Sequence, residues 1–121
     1  WKEGMDHFWC GARDQGDVWF VDKARKNDLH PTMKPVALVE RAIRNSSKSR
    51  DIVLDPFGGS GTTLIACEKT GRSGRLLELD PKYADVVVRR WQEFTGQAAT
   101  LEGDGRTFEE IAAGQSKGAV A

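Results

Sequence analysis

From residue 51 onward, short apolar runs alternate with segments of helical spacing, which predicts an α/β fold: half of a doubly wound sheet with flanking helices. Three observations carry this prediction. Ile52-Val53-Leu54 is a short apolar run of strand type that leads straight into a glycine-rich turn. Asp80-Pro81 joins an N-cap carboxylate to a proline at the first helical position, so it marks the start of a new helix. Thr107-x-x-Glu110 has the spacing of a capping box and opens a last short helix. Strands are expected at residues 51–55, 75–79 and 98–101. With helices between them, right-handed crossovers make them parallel in the order 3-2-1. A fourth strand would normally flank the first, and no other segment is a candidate for it.

Each element has a local cause. The first helix has Thr32 as N-cap and Pro35 in its first turn, where a missing N–H does no harm. Val36, Val39, Ala42 and Ile43 form its apolar stripe, and the polar cluster at 45–49 ends it. The second helix spans about residues 61–70, with Ser60 as cap and Gly71 in the left-handed position that closes it. The third starts at Pro81, buries Tyr83, Val87, Trp91 and Phe94, and stops at Gly96. Residues 1–29 form an aromatic-rich N-terminal segment holding Trp1, Phe8, Trp9, Trp19 and Phe20. Short strands at 7–10 and 17–21 and a polar loop at 23–29 are expected there. Residues 30–114 make up the α/β unit, and 115–121 a frayed tail.

Composition excludes several classes. Hydrophobic residues at 39% with 30% charged describe a globular chain rather than a disordered one. No apolar run reaches the roughly 20 residues of a membrane span, and the N-terminus lacks a signal pattern. The chain reads as soluble and cytoplasmic. Cys10 and Cys67 form no C-x-x-C and have no ligand cluster beside them, so free thiols are expected and no metal site. Net charge is zero: residues 1–50 carry ten basic against seven acidic groups, +3, and residues 51–121 eight against eleven, −3. Charge alone gives no support for nucleic-acid binding.

The chemistry lies in the turn and the strand that follows. Gly58, Gly59 and Gly61 sit between a strand and a helix, where a ligand can approach backbone N–H groups at the positive helix end. Glu78 falls at the tip of the next strand, 23 residues after Asp55, close to the ~20 at which an acid accepts from ribose hydroxyls. Together they predict a nucleoside-containing ligand. A dinucleotide is one candidate, but Gly59-x-Gly61-x-x-Leu64 puts leucine in the third glycine place. A P-loop fits less well, since no Gly-Lys-Ser/Thr follows the turn. A turn with no ligand is the plain alternative.

The local sequences break the tie. Asp55-Pro56-Phe57-Gly58-Gly59-Ser60-Gly61-Thr62-Thr63 resembles the cofactor-binding first motif of DNA adenine-N6 and cytosine-N4 methyltransferases. His30-Pro31-Thr32-Met33-Lys34-Pro35 resembles the motif before it in the permuted (β-class) subgroup. Glu78-Leu79-Asp80-Pro81-Lys82-Tyr83 is similar to the second motif, and Gly103-Asp104-Gly105 falls where the third would end. The resemblance covers roughly residues 17–108, in the expected order. It implies a Rossmann-like methyltransferase sheet and S-adenosyl-L-methionine as cofactor. Asp55, Phe57, Gly58, Gly59, Ser60, Gly61 and Thr62 would then hold the methionine part, with Thr32 and Lys34 on its carboxylate. Glu78 would bind the ribose, and Asp104 would accept from the adenine amino group. For Thr32 a simple helix cap, for Lys34 a solvated cation and for Asp104 an uninvolved loop acid remain open, and Asp80 is read as a cap.

The resemblance also implies a site-specific DNA methyltransferase of the restriction-modification type. It would act on an exocyclic amine, with adenine N6 favoured over cytosine N4. Its catalytic tetrapeptide, Asp/Asn/Ser-Pro-Pro-aromatic, is not among these 121 residues, so no catalytic residue is assigned. The start at Trp1, with no initiator Met, reads as the C-terminal portion of a longer enzyme, inactive without its catalytic half. Other readings are a non-catalytic cofactor-binding module and a fragment of an RNA or protein methyltransferase. DNA is the expected partner of the full enzyme. The unprotected edge of the first strand, Ile52-Val53-Leu54, would also let two copies pair as a homodimer.

Overall fold

The computed structural model describes Cys10, Gly11 and residues 34–119. The expected strands at 7–10 and 17–21 therefore lie outside the described residues, apart from Cys10, and so do the loop at 23–29 and Thr32.

The first helix, α1 (Val36–Ser46), starts directly after Pro35. Val36, Val39 and Ile43 recur on one side and face the core, where Ile43 is buried. Ala42, expected in that stripe, is exposed, because it lies about 100° round the helix from Ile43. Asn45 is the second buried residue of α1, and its carbonyl accepts from the Cys10 N–H. Arg72 then ties the ends of two helices together. Its guanidinium donates to the Ser47 hydroxyl (3.1 Å) and carbonyl (2.8 Å) and to the Thr70 carbonyl (2.7 Å).

The first strand, β1 (Ile52–Asp55), pairs in parallel with β2 (Ser73–Leu76), Ile52 opposite Ser73 and Asp55 opposite Leu76. The second strand thus begins and ends earlier than the expected 75–79. Parallel pairing decides this: the four residues of β1 draw Ser73 and Gly74 into the ladder, and Leu77 N–H closes it on the Asp55 carbonyl at 2.9 Å. Between them, α2 (Thr62–Thr70) is the most buried helix, with Ile65, Ala66 and Cys67 in the core. It packs against α1, β2 and the next helix. Gly74 permits that approach, since a Cβ there would stand 2.9 Å from Leu64 Cδ1.

The next helix, α3 (Pro81–Thr95), is capped as expected: Asp80 Oδ1 accepts from Lys82 N–H at 2.9 Å, Pro81 follows at once, and Gly96 closes it. Val87 is its buried residue, and Tyr83 and Trp91 are half-buried. Phe94 is 49% exposed rather than core. Trp91, one turn earlier, meets α2, its indole donating to Glu68 at 2.9 Å.

No third strand is found at 98–101. The described sheet has two strands, β1-β2, so the 3-2-1 order is not seen. That segment satisfies its backbone locally instead. Ala99 N–H donates to the Gln92 side chain, Leu101 N–H to the Arg106 carbonyl, and Thr100 makes a single antiparallel bridge with Thr107. The capping box forms in both directions, Thr107 N–H to Glu110 at 2.9 Å and Glu110 N–H to Thr107 at 3.2 Å. It opens α4 (Phe108–Ala119), which continues through Gly114 into the region expected to fray. Arg89 stacks on the Phe108 ring at 5.3 Å and joins α4 to α3.

The helices cover one face of the sheet. Val53 packs into the core, whereas Ile52 (68% exposed) and Leu54 (67%) point to the other, open face. Among the described residues, no strand pairs with the free edge of β1, and no helix is long and apolar enough to cross a membrane.

Candidate functional site

At the carboxyl ends of both strands, the chain between β1 and α2 folds into a compact turn. Asp55 closes it on both sides: Oδ1 accepts from Phe57 N–H at 3.0 Å, and Oδ2 from the Thr63 hydroxyl at 2.6 Å. The strand end is thereby tied to the first turn of α2. Gly58 N–H donates to the Leu77 carbonyl at 2.8 Å, and Gly61 N–H to the Gly58 carbonyl at 2.9 Å. Gly61 holds φ 84°, a left-handed backbone, and a Cβ there would stand 3.1 Å from Val87 Cγ1. Glycine is therefore required at 61 for conformation and for space.

The tip of the second strand leans onto this turn. Glu78 Oε2 accepts from Gly59 N–H at 2.6 Å, and Oε1 from Asp80 N–H at 3.1 Å. One carboxylate thus links the glycine turn to the start of α3. The cavity between them has a volume of about 480 Å³. Its lining includes Lys34, Val39, the run from Asp55 to Ser60, Thr62, Thr63, Glu78 and Leu79. The first N–H groups of α2 have no intrahelical acceptor, and the first such bond is Ile65 N–H to Gly61 at 3.1 Å.

The arrangement suits a ligand with several different ends. The N-terminus of α2 and the Lys34 ammonium favour an anionic group. Asp55 and Glu78 each keep acceptor capacity for ammonium or hydroxyl donors. Val39, Pro56, Phe57 and Leu79 offer apolar surface, the last two strongly exposed at the rim. The hydroxyls present, Ser60, Thr62 and Thr63, are engaged in hydrogen bonds with protein groups. This is the chemistry of binding and orientation. Among the described residues, no cluster of His, Cys, Asp and Glu is arranged to hold a metal ion.

The structure brings together eight of the expected site residues on the cavity, Lys34, Asp55, Phe57, Gly58, Gly59, Ser60, Thr62 and Glu78, while Gly61, in the same turn, packs against Val87 and is not among its lining residues. Thr32 lies outside the described residues. Asp104 is not brought to the cavity: it is exposed, and its carboxylate takes both Arg106 N–H (2.8 Å) and Arg106 Nε (2.9 Å). Nor does Ser60 cap α2. The N-cap is Gly61, without a side-chain cap, and the Ser60 hydroxyl turns inward, within 3.4 Å of both Thr62 Oγ1 and Arg90 Nη1. Sequence reasoning missed Val39, Pro56, Thr63 and Leu79 as lining residues. Pro56, Thr63 and Leu79 stand inside the two motifs, so the motifs themselves held the signal.

Comparison with known proteins agrees with this geometry. A family model described as DNA methylase, of the N6/N4 methyltransferase type, matches residues 9–89. The Type II methyltransferase M.HpaI of Haemophilus parainfluenzae is 45% identical over 80 residues, 65% of this chain and 25% of that protein. The Type II methyltransferase M2.MboI of Moraxella bovis is 35% identical over 89 residues, 70% of this chain and 33% of that protein. The chain thus spans a third or less of the length of these curated relatives. Among solved structures, the M1.HpyAVI–SAM complex superposes with TM-score 0.61 at 29% identity, over 74% of this chain and 46% of that one. The cytosine-N4-specific PvuII DNA methyltransferase, at 24% identity and TM-score 0.53, shares the fold. With the family model matched over more than half of its residues, the chain belongs to the N6/N4 DNA methylase family.

Proposed function

We propose that the cavity binds S-adenosyl-L-methionine and that the chain is the cofactor-binding part of a site-specific DNA methyltransferase. The observation that carries this is the joint placement of Glu78 and the α2 N-terminus on one cavity, bridged by the 2.6 Å bond from Gly59. The structural likeness to M1.HpyAVI, solved as a complex with SAM, supports it. In this reading the amides at the start of α2 and the Lys34 ammonium take the methionine carboxylate, the group to which the motif resemblance also assigns Thr32. Asp55 accepts from the ammonium. Glu78 accepts from the ribose hydroxyls, which need acceptors. Phe57 and Leu79 flank the adenine ring. When bound, the cofactor supplies an electrophilic methyl group on a sulfonium. The residues of this chain fix its position and exclude water from one side of it.

The acceptor in this reading is an exocyclic amine of a DNA base, with adenine N6 the first substrate to test ahead of cytosine N4. The Asp/Asn/Ser-Pro-Pro-aromatic tetrapeptide that grips a flipped base is absent from these 121 residues. Methyl transfer therefore requires a catalytic half that carries it, and the 121 residues alone are expected to be inactive. Acting on DNA, the protein would work in the cytoplasm. Titration calorimetry with S-adenosylmethionine, its demethylated product and NAD tests the assignment. Binding of the first two without NAD is expected, and tight NAD binding with no response to the methionine cofactor would overturn it.

The free edge of β1 bears on partners. Three of its four residues, Ile52, Val53 and Leu54, are apolar, and no lysine or proline protects it. It is proposed to pair either with a strand of the catalytic half or with a second copy. Light scattering over a concentration series should show association of the 121-residue chain that a catalytic half suppresses. A monomer at every concentration would argue against the pairing of two copies.

A further inference from the structure

The reverse side of the glycine turn holds a residue that neither motif contains. Arg90, on α3, reaches across to α2, and its Nη1 stands 3.2 Å from the Ser60 carbonyl, 3.4 Å from the Ser60 hydroxyl and 3.1 Å from the Thr62 hydroxyl. Ser60 and Thr62 are 5% and 6% exposed, so these acceptors belong to the interior. The Thr62 hydroxyl passes the connection on, donating to the Lys34 carbonyl at 3.2 Å. One guanidinium thus holds the turn, the first residue of α2 and, through Thr62, the segment that presents Lys34.

The electrostatics are unusual for an arginine. Among the described residues no carboxylate pairs with Arg90, and its acceptors are a carbonyl and two hydroxyls. Burial lowers its pKa, the mark of a cation held without a compensating anion. Burying an unpaired charge costs stability, and a neutral donor would satisfy the same acceptors. A retained cation at this place adds positive potential behind a helix N-terminus that already favours anions. The same helix starts three residues after Glu78 and packs Val87 against Gly61, so α3 fixes the turn and the acid relative to each other.

We propose that Arg90 is a positioning residue that sets the turn for, and supplies fixed positive charge to, the carboxylate of the ligand, so that the site selects nucleosides bearing an amino-acid carboxylate. This rests on the cofactor reading above and assigns it a selectivity device outside the ligand-lining residues. The nucleoside end, held at Glu78, is beyond the direct contacts of Arg90.

Calorimetry on the whole 121-residue chain separates the two ends of the ligand. S-adenosylhomocysteine and 5′-methylthioadenosine share the nucleoside and the thioether, and only the first carries the amino-acid tail. Arg90→Met should weaken S-adenosylhomocysteine binding by about tenfold, the scale of a partly buried charge at a helix end, and change methylthioadenosine binding by less than about twofold. Arg90→Lys, which keeps the charge and loses the fork, should retain most of the preference. An equal loss for both nucleosides, or no loss for either, in a folded Arg90→Met chain overturns the proposal. If Arg90→Met unfolds, Arg90→Lys decides: a folded lysine variant that loses both ligands equally makes Arg90 merely structural. Failure of the unsubstituted chain to bind either nucleoside is a different result. It removes the cofactor reading and, with it, this inference.

Discussion

Two loops, one after β1 and one between α3 and α4, both combine an aspartate with two glycines in left-handed backbones, and they behave in opposite ways. In the first, Gly59 and Gly61 have positive φ, the turn is packed against Val87, and Asp55, Glu78 and Arg90 converge on it from three elements. In the second, Gly103 and Gly105 also have positive φ, a Cβ at either would meet nothing within 4 Å, and among the described residues Asp104 bonds to Arg106 two residues away. Similar local chemistry yields a site in one case and a solvated loop in the other. What separates them is long-range contact: the first loop is held by groups 19 to 30 residues distant, the second by itself.

The sharpest break of this comparison pairs two glycine substitutions. Gly61→Ala forces a side chain into a left-handed backbone and against Val87, and should destabilise the chain by about 2–4 kcal/mol. Gly105→Ala meets only the backbone strain, and should cost about 1 kcal/mol. Denaturant unfolding of both measures the difference, and equal losses would mean that the packing of the first loop is immaterial. Next in size are the two acids. Glu78→Ala should weaken S-adenosylmethionine binding by about 1–3 kcal/mol, the range for an acceptor lost from a buried bonded site. Asp104→Ala should leave it unchanged, and a matching loss there would bring the second loop back to the ligand.

The smallest effect concerns the thiols. Cys67 is fully buried, and burial, with Glu68 adding to it, raises its pKa. The unfolded chain ionises that thiol more readily than the folded one. Stability from this group is therefore fully present below the ordinary thiol pKa of 9.0 and falls as pH rises above it. A thiol reagent at neutral pH should modify exposed Cys10 quickly and Cys67 only on unfolding. Rapid labelling of both would show that the α2 core opens under native conditions.

The first loop was legible because its determinants are near neighbours. Gly61, Gly71 and Gly96 end or begin helices through their own backbone freedom, and Asp80-Pro81 and Thr107/Glu110 cap helices through bonds spanning two or three residues. The Asp55–Glu78 spacing follows from one strand–helix–strand unit of ordinary length. The misreadings have non-local causes. The second strand starts at Ser73 because β1 is there to pair with it, and 98–101 does not extend the sheet because Arg106 and Gln92 meet its amides first. Phe94 has the spacing of a core residue, but it stands 49% exposed on the folded chain, a matter of packing that helical spacing does not specify.

The linear sequence alone determined the helix caps, the glycine turn, the acid at the next strand tip and, through its motifs, the family. Those features depend on φ preferences and hydrogen bonds within a few residues, which side-chain identity specifies directly. Tertiary structure alone decided that Arg90 stands behind the turn 30 residues away, that Ser60 faces inward rather than capping α2, and that Asp104 pairs with Arg106 outside the cavity. Which partner a polar group finds depends on which surfaces meet once α3 lies on α2, and residue order does not specify that meeting.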